Sequence, residues 1–224
     1  MNEQAARFQE EKDAIRRRLC KYTKKAFQAI PPLDKPQILD IGCGSGESTI
    51  ELADVFNGEF TCMDIDREML DVFAGKVEKA GLQDRVKIIE KSMLDMDFPA
   101  ESFDIIVAEG SIHAVGFEQG LKEWRRLLKP EGCMIVHDAQ GDIEGKIKQI
   151  SACGYDLLDY FKLSINDWWD EYFTPLENMV KEAEVKYADK NEIAEKLREA
   201  RWEIEMFRTN PENNSSVCFI IRKK

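Results

Sequence analysis

The sequence predicts an α/β fold in which a mainly parallel seven-stranded sheet is covered by helices on both faces. Three observations carry that expectation. From Pro36 to Ala139, short apolar runs alternate with helix-like segments, the pattern of right-handed βαβ crossovers. The runs Ile38 to Ile41 and Phe103 to Ala108 are almost continuously apolar, as strands buried on both faces require. A glycine-rich turn, Gly42-Cys43-Gly44-Ser45-Gly46, follows the first of these runs directly.

Each element has its own local reason. Residues 3 to 30 carry Phe8, Ile15, Leu19, Tyr22, Ala26 and Ile30 among many charges, which fits one or two amphipathic helices stopped by Pro31-Pro32. Ile38 to Ile41 is a strand, Glu47 to Phe56 a helix, and Glu59 to Met63 a strand ending in Asp64-Ile65-Asp66. Arg67 to Ala80 reads as a helix closed by Gly81, and Val86 to Ile89 as a strand. Phe103 to Ala108 is the next strand, Phe117 to Leu128 a helix, and Cys133 to His137 a further strand. Ile143 to Cys153 is helical up to Gly154, and Tyr155 to Leu163 is a strand. Residues 166 to 208 are helix-rich and charged, and Ser216 to Ile221 supplies the last strand. The expected organisation is therefore one domain with three parts. Residues 1–35 form an N-terminal helical segment, 36–140 an α/β core, and 141–224 a C-terminal part whose helical insertion, about 166–208, precedes the last strand.

Composition excludes several function classes. With 43% hydrophobic residues among 224, the chain has enough apolar mass for a sizeable core. Its 32 Lys and Arg against 43 Asp and Glu leave a formal charge of −11, which disfavours a phosphate-tracking surface, so no nucleic acid partner is expected. No run approaches the ~20 apolar residues of a membrane span, and Met1 to Lys12 lacks the apolar stretch of a secretion signal. Cys20, Cys43, Cys62, Cys133, Cys153 and Cys218 form no Cys-x-x-Cys pair and read as reduced core thiols, with no metal site expected. A cytoplasmic protein, monomer or homodimer, follows from these readings.

The glycine turn carries the most chemistry. Gly42, Gly44 and Gly46 allow positive φ and close approach of the main chain to a ligand, and a helix beginning at Glu47 points its N-terminus there. In open α/β sheets ligands bind beyond the C-terminal strand ends at the switch point, so the turn is placed to hold a nucleoside cofactor. A nicotinamide enzyme favours Gly-x-Gly-x-x-Gly, whereas this chain has Asp-x-Gly-x-Gly-x-Gly from Asp40 and no phosphate-loop Gly-Lys-Ser/Thr.

That spacing, with Asp64 closing the second strand, resembles the class I methyltransferases that use S-adenosylmethionine. The likeness spans roughly residues 36 to 139, including the Phe103-Asp104 strand entry and Leu128-Lys129-Pro130-Glu131-Gly132. Glu109-Gly110-Ser111-Ile112-His113 and the segment Gly116 to Trp124 are similar to the small-molecule branch, the broad group around the ubiquinone- and menaquinone-biosynthesis methyltransferases. The resemblance implies a three-layer α/β/α Rossmann-like methyltransferase fold with an antiparallel last strand. It also implies S-adenosyl-L-methionine as cofactor, S-adenosyl-L-homocysteine as product and a small-molecule acceptor.

It further implies site residues. Gly42, Cys43, Gly44 and Gly46 lie along the methionine part, and Asp40 faces the ammonium group. Asp64 receives the ribose hydroxyls, Ile65 lies on the adenine, and Glu109 and Gly110 border the sulfonium and the acceptor. The family often has an acidic residue after the third strand, where this chain has Lys91-Ser92-Met93. Ser92 and Met93 are the candidates for the adenine contact, with Asp95 and Asp97 near enough to substitute.

Several residues carry two readings. His113 is either a base or acceptor-orienting group, or a structural histidine, and Glu109 either touches ligand or merely ends a strand. His137 has the same two readings, and for both histidines the structural one is favoured. Trp168, Trp169, Tyr172 and Phe173 either enclose an acceptor or pack an amphipathic helix, and packing is the expectation. Arg16-Arg17-Arg18 with Lys21, Lys24 and Lys25 reads as a solvated helix face. Two rival functions remain open: a non-catalytic S-adenosylmethionine-binding partner subunit and an NAD-dependent oxidoreductase.

Overall fold

The structure is a computed structural model that describes residues 3–186, 193–210 and 215–224. The chain divides into two compact units, an α/β unit of Tyr22–Lys162 with Ser216–Lys224 and a helical unit of Met1–Lys21 with Leu163–Ser215.

In the α/β unit the apolar runs become strands: β1 Gln37–Ile41, β2 Glu59–Asp64, β3 Val86–Glu90, β4 Phe103–Glu109, β5 Leu128–Ala139, β6 Tyr155–Leu163 and β7 Ser216–Lys223. They form one sheet in the order β3-β2-β1-β4-β5-β7-β6. The pairs β1/β2, β1/β4, β2/β3 and β4/β5 are parallel, and the last strand, β7, runs antiparallel to β5. The chain therefore reverses its direction of winding between β1 and β4, and the ends of these two strands, Ile41 and Glu109, open the crevice where α/β sheets bind ligands.

Alternation along the strands sends side chains to two cores, as a pleat of period two dictates. Leu39, Ile41, Met63, Ile106, Met134, Val136 and Phe219 face one layer, with Leu121 and Trp124 of α5 (Phe117–Trp124) and Ile150 of α6 (Ile143–Ala152). Ile38, Phe60, Cys62, Ile105, Val107, Ile135 and Ile220 face the other. There they meet α2 (Cys20–Gln28) through Phe27, α3 (Glu47–Val55) through Leu52, and α4 (Arg67–Ala80) through Phe73 and Val77. The three-layer, mainly parallel fold read from the sequence is the one observed.

One junction differs by more than two residues. The helix expected to run to Leu128 ends at Trp124, a short 3-10 turn Arg125–Leu127 follows, and β5 begins at Leu128, five residues before the expected Cys133. Pro130 and Gly132, residue types common in turns, sit here in an irregular strand entry. Leu128 pairs with Phe103, the register shifts before Ile105–Cys133, Glu131 has φ 60, and Lys129 pairs with Asp104 at 2.7 Å. An irregular pairing absorbs residues that a regular strand would reject.

The helical unit contains α1 (Glu3–Arg16), α7 (Ile165–Trp168), a π-helical turn Trp169–Phe173, α8 (Thr174–Lys186) and α9 (Ala194–Thr209). Part of the expected helical insertion, at 187–192, lies outside the described residues. The aromatic cluster packs as expected: Tyr172 and Phe173 are buried, Phe173 stacks on Phe207 with centroids 4.0 Å apart, and Trp168 and Trp169 contact Phe173 and Phe207. The basic run is met by carboxylates, with Arg18 and Lys21 both on Glu171 (3.1 and 2.7 Å). Among the described residues, no helix is long and apolar enough to cross a membrane.

Candidate functional site

The site is built at the C-terminal ends of β1, β2 and β4. The chain leaves β1 through a turn in which Gly42, Gly44 and Gly46 have φ of 77, 52 and 75, a left-handed run that side-chain-bearing residues avoid. Two backbone donors pin its first half to β2, since Gly42 and Cys43 both donate to the Met63 carbonyl (2.8 and 3.1 Å). The three glycines have different surroundings. A Cβ on Gly42 would lie 2.6 Å from Ser111 Cβ and one on Gly46 2.1 Å from Phe73 Cδ2, but one on Gly44 would meet nothing within 4 Å. Gly44 therefore faces open space, and so does Gly110 (φ 66) beyond β4.

Three carboxylates surround this opening. Asp40 is buried on β1, and its Oδ2 accepts a 2.6 Å hydrogen bond from Thr49 Oγ1. Burial pushes its carboxyl up to about 7, with Glu109 and Asp64 adding to the rise and the Thr49 bond opposing it. Asp64, at the end of β2, accepts from the Gly44 amide through Oδ2 (2.8 Å) and from the Asp66 amide through Oδ1 (3.0 Å). Glu109 is held from two helices, Thr23 Oγ1 of α2 donating to Oε1 at 2.6 Å and Ser48 Oγ of α3 donating to Oε2 at 2.5 Å. The neighbouring carboxylates Glu109 and Asp64 therefore both oppose ionisation of Asp40.

The rest of the site follows from neighbouring segments. Ile65 is 70% exposed next to Asp64, an unusual place for a large apolar side chain. Met93 reaches the turn, its Cε 3.8 Å from a Cβ placed on Gly42, and Ser92 Oγ accepts the Leu94 amide at 3.2 Å. Asp97 is tied to Lys91 at 2.5 Å, which lowers the pKa of the acid and raises that of the base, whereas Asp95 is exposed. Cys43 lies in the turn, and burial pushes its thiol up, which disfavours the thiolate there.

His113 is exposed on the 3-10 turn Ile112–Ala114 just past Gly110. His137 is engaged elsewhere, its Nε2 2.7 Å from Ser216 Oγ at the β5/β7 pair. Sequence reasoning missed Thr23, Ser48, Thr49 and Ser111, the hydroxyls that hold the site. Ser111 Oγ donates to the Ile41 carbonyl at 2.6 Å, closing β1 against the segment after β4. The only local signal was Ser48-Thr49 in the first turn of the helix after the glycines.

This donor set fits the cofactor that the motifs imply. Three carboxylates suit a ligand that carries cationic groups and vicinal hydroxyls, the open faces at Gly44 and Gly110 give room, and exposed Ile65 offers an apolar bed for a ring.

Known proteins agree with the architecture. Residues 38–132 match a family described as "Methyltransferase domain". The chain is 33% identical over 103 residues to a sterol 24-C-methyltransferase of Gibberella zeae, covering 46% of this chain and 27% of that protein. It is 24% identical over 208 residues to the demethylmenaquinone methyltransferase of Listeria welshimeri, covering 91% and 86%. Its fold is similar to that of a SAM-dependent methyltransferase from Geobacter sulfurreducens in complex with S-adenosyl-L-homocysteine. That match has a TM-score of 0.72 and 15% identity over 92% of this chain and 90% of that one. The chain spans only 27%, 42% and 61% of the length of three of the curated relatives it matches. Residues 38–132 therefore match a methyltransferase domain, and the chain's fold is similar to that of a SAM-dependent methyltransferase.

Proposed function

We propose that this protein is an enzyme that transfers the methyl group of S-adenosylmethionine to a small-molecule acceptor. The observation that carries this reading is the group of carboxylates at the switch point, where Asp64 holds the amide of the open Gly44 and both Asp64 and Glu109 act electrostatically on buried Asp40. When bound, the cofactor supplies a methyl group already activated by its sulfonium, with a neutral thioether as leaving group.

The chain's own residues bind and orient. Gly42, Cys43, Gly44 and Gly46 take the methionine part, and Asp40 compensates its ammonium charge. Asp64 retains a free lone-pair direction on each oxygen beyond the amides it accepts, so it can receive the ribose hydroxyls. Ile65 lies under the adenine, with Met93 and Ser92 at its edge. Glu109 and Gly110 border the reacting centre, and Thr23 and Ser48 keep the Glu109 carboxylate in one orientation. Alignment supplies much of the rate for a methyl that needs no further activation. His113, exposed beside Gly110, takes the proton where the acceptor is a hydroxyl or an ammonium group. The net charge of −11 and the methyltransferase relatives support a metabolite rather than a nucleic acid acceptor, and oxygen, nitrogen and carbon nucleophiles all suit this arrangement. Six free cysteines, five of them buried, suit a reducing compartment such as the cytoplasm.

A thermal-shift comparison tests the cofactor. S-adenosylhomocysteine at a hundred times its dissociation constant should stabilise the protein by about 2.7 kcal/mol, and NAD at the same concentration should not. Stabilisation by NAD alone would overturn the reading in favour of a nicotinamide enzyme.

A further inference from the structure

We propose that Lys76 is a positioning residue for the cofactor turn, acting with Phe73 one helical turn earlier on α4. Lys76 Nζ donates to the Ser45 carbonyl at 2.9 Å, in the middle of the turn. The same ammonium pairs with Glu47 Oε1 at 2.5 Å, at the first residue of α3. Both side chains are largely buried, 17% and 3% exposed. Phe73 fills the space where Gly46 lacks a Cβ. Helix α4 thus grips the turn at Ser45, Gly46 and Glu47.

The grip has a physical purpose. Three glycines in five residues, all left-handed, give this segment much conformational freedom to lose. A turn that orders only when ligand arrives weakens binding by the cost of that ordering, and restraints already in place remove it. Lys76 bridges the Ser45 carbonyl and the buried Glu47 carboxylate, so one ammonium restrains the chain on both sides of Gly46. Helix α4 also begins beside the nucleoside half of the site. Asp66 caps it by accepting the Met69 amide at 3.1 Å, directly after Asp64 and Ile65. One rigid element therefore links the two halves, and Lys76 governs only the methionine half.

This inference rests on the cofactor reading above, and its test separates the two. In Glu47→Gln/Lys76→Met the pair is removed together, so no charge is left buried. Calorimetry compares S-adenosylhomocysteine with methylthioadenosine, which keeps the adenine, ribose and sulfur but lacks the amino-acid part. The variant should lose at least fivefold more affinity for S-adenosylhomocysteine than for methylthioadenosine, and Lys76→Arg, which keeps the cation and its donors, should restore the wild-type ratio. A ratio that moves less than fivefold in the folded double variant overturns the proposal. Amide exchange at residues 46 to 48 of the ligand-free protein gives a second readout, faster in the double variant if α4 restrains the turn. Unchanged protection overturns the proposal even where ligand affinity shifts. If wild-type protein binds neither ligand, the cofactor reading fails, and the exchange result still decides the role of Lys76.

Discussion

Replacing Asp40 by Asn should make the ligand-free protein more stable while it weakens the cofactor site. Asn keeps the size of the side chain and an oxygen for the Thr49 hydroxyl, and removes a charge that burial opposes. The Asp40 carboxyl is raised from 3.8 to about 7 in the folded protein. Between these values the folded state holds a proton that the unfolded chain has released. Stability therefore falls as pH rises through that window and is level above it. At 1.36 kcal/mol per unit, the loss approaches about 4 kcal/mol by pH 8 as an upper limit. The variant has no such loss. Urea unfolding at pH 4 should show the two proteins nearly equal, and at pH 8 the variant should be ahead by up to that amount. The same variant lacks a charged partner for the ligand's ammonium, worth about 1.5–3 kcal/mol, so its S-adenosylhomocysteine affinity should fall about ten- to hundredfold. A stability difference that does not change with pH, or a variant less stable at pH 8, would refute the burial argument.

Four other outcomes follow from the same geometry. Because an ammonium partner restores Asp40 to its ionised form, wild-type affinity for S-adenosylhomocysteine should rise about tenfold from pH 5.5 to 7 with net proton release, and calorimetry in buffers of different ionisation enthalpy reads both. Asp64→Asn should reduce that affinity by about 1.5–3 kcal/mol while costing less than the same amount in stability, since the one oxygen of Asn still accepts from either the Gly44 or the Asp66 amide, which now bond to different Asp64 oxygens. Gly46→Ala should cost roughly 2–4 kcal/mol in unfolding experiments because its Cβ meets Phe73 at a φ of 75, whereas Gly44→Ala should cost about 1–2 kcal/mol and act chiefly on ligand affinity. Phe173→Ala should remove about 3–5 kcal/mol from the helical unit, read by its thermal unfolding, because one truncation abolishes the Phe207 stack and leaves both tryptophans facing a void.

The legible parts were those whose physics is local. Ile38 to Ile41 and Phe103 to Ala108 announce buried strands by composition alone, and the glycines at 42, 44 and 46 announce a turn because few other residues accept its φ values. Asp64 was identifiable because a strand end and a glycine turn lie at a fixed offset in this topology. What escaped depends on pairings between distant residues. Thr23 is 86 positions from Glu109 and Lys76 is 31 from Ser45, and nothing in either neighbourhood marks the pairing. The irregular entry to β5 escaped for another reason: Pro130 and Gly132 are turn formers, and distant contacts such as the Leu128–Phe103 pairing and the Lys129–Asp104 ion pair hold their segment in the strand. The exposure of His113 was likewise invisible, because it depends on the 3-10 turn that follows β4.

The central claim is methyl transfer, and the most direct measurement is to incubate the protein with methyl-labelled S-adenosylmethionine and a fractionated metabolite extract, following label by mass. Label should appear in a low-mass product in step with S-adenosylhomocysteine, and Asp64→Ala should abolish both. Tight binding of the cofactor with no label leaving it in any fraction would contradict the enzymatic account and make the protein a binding subunit instead.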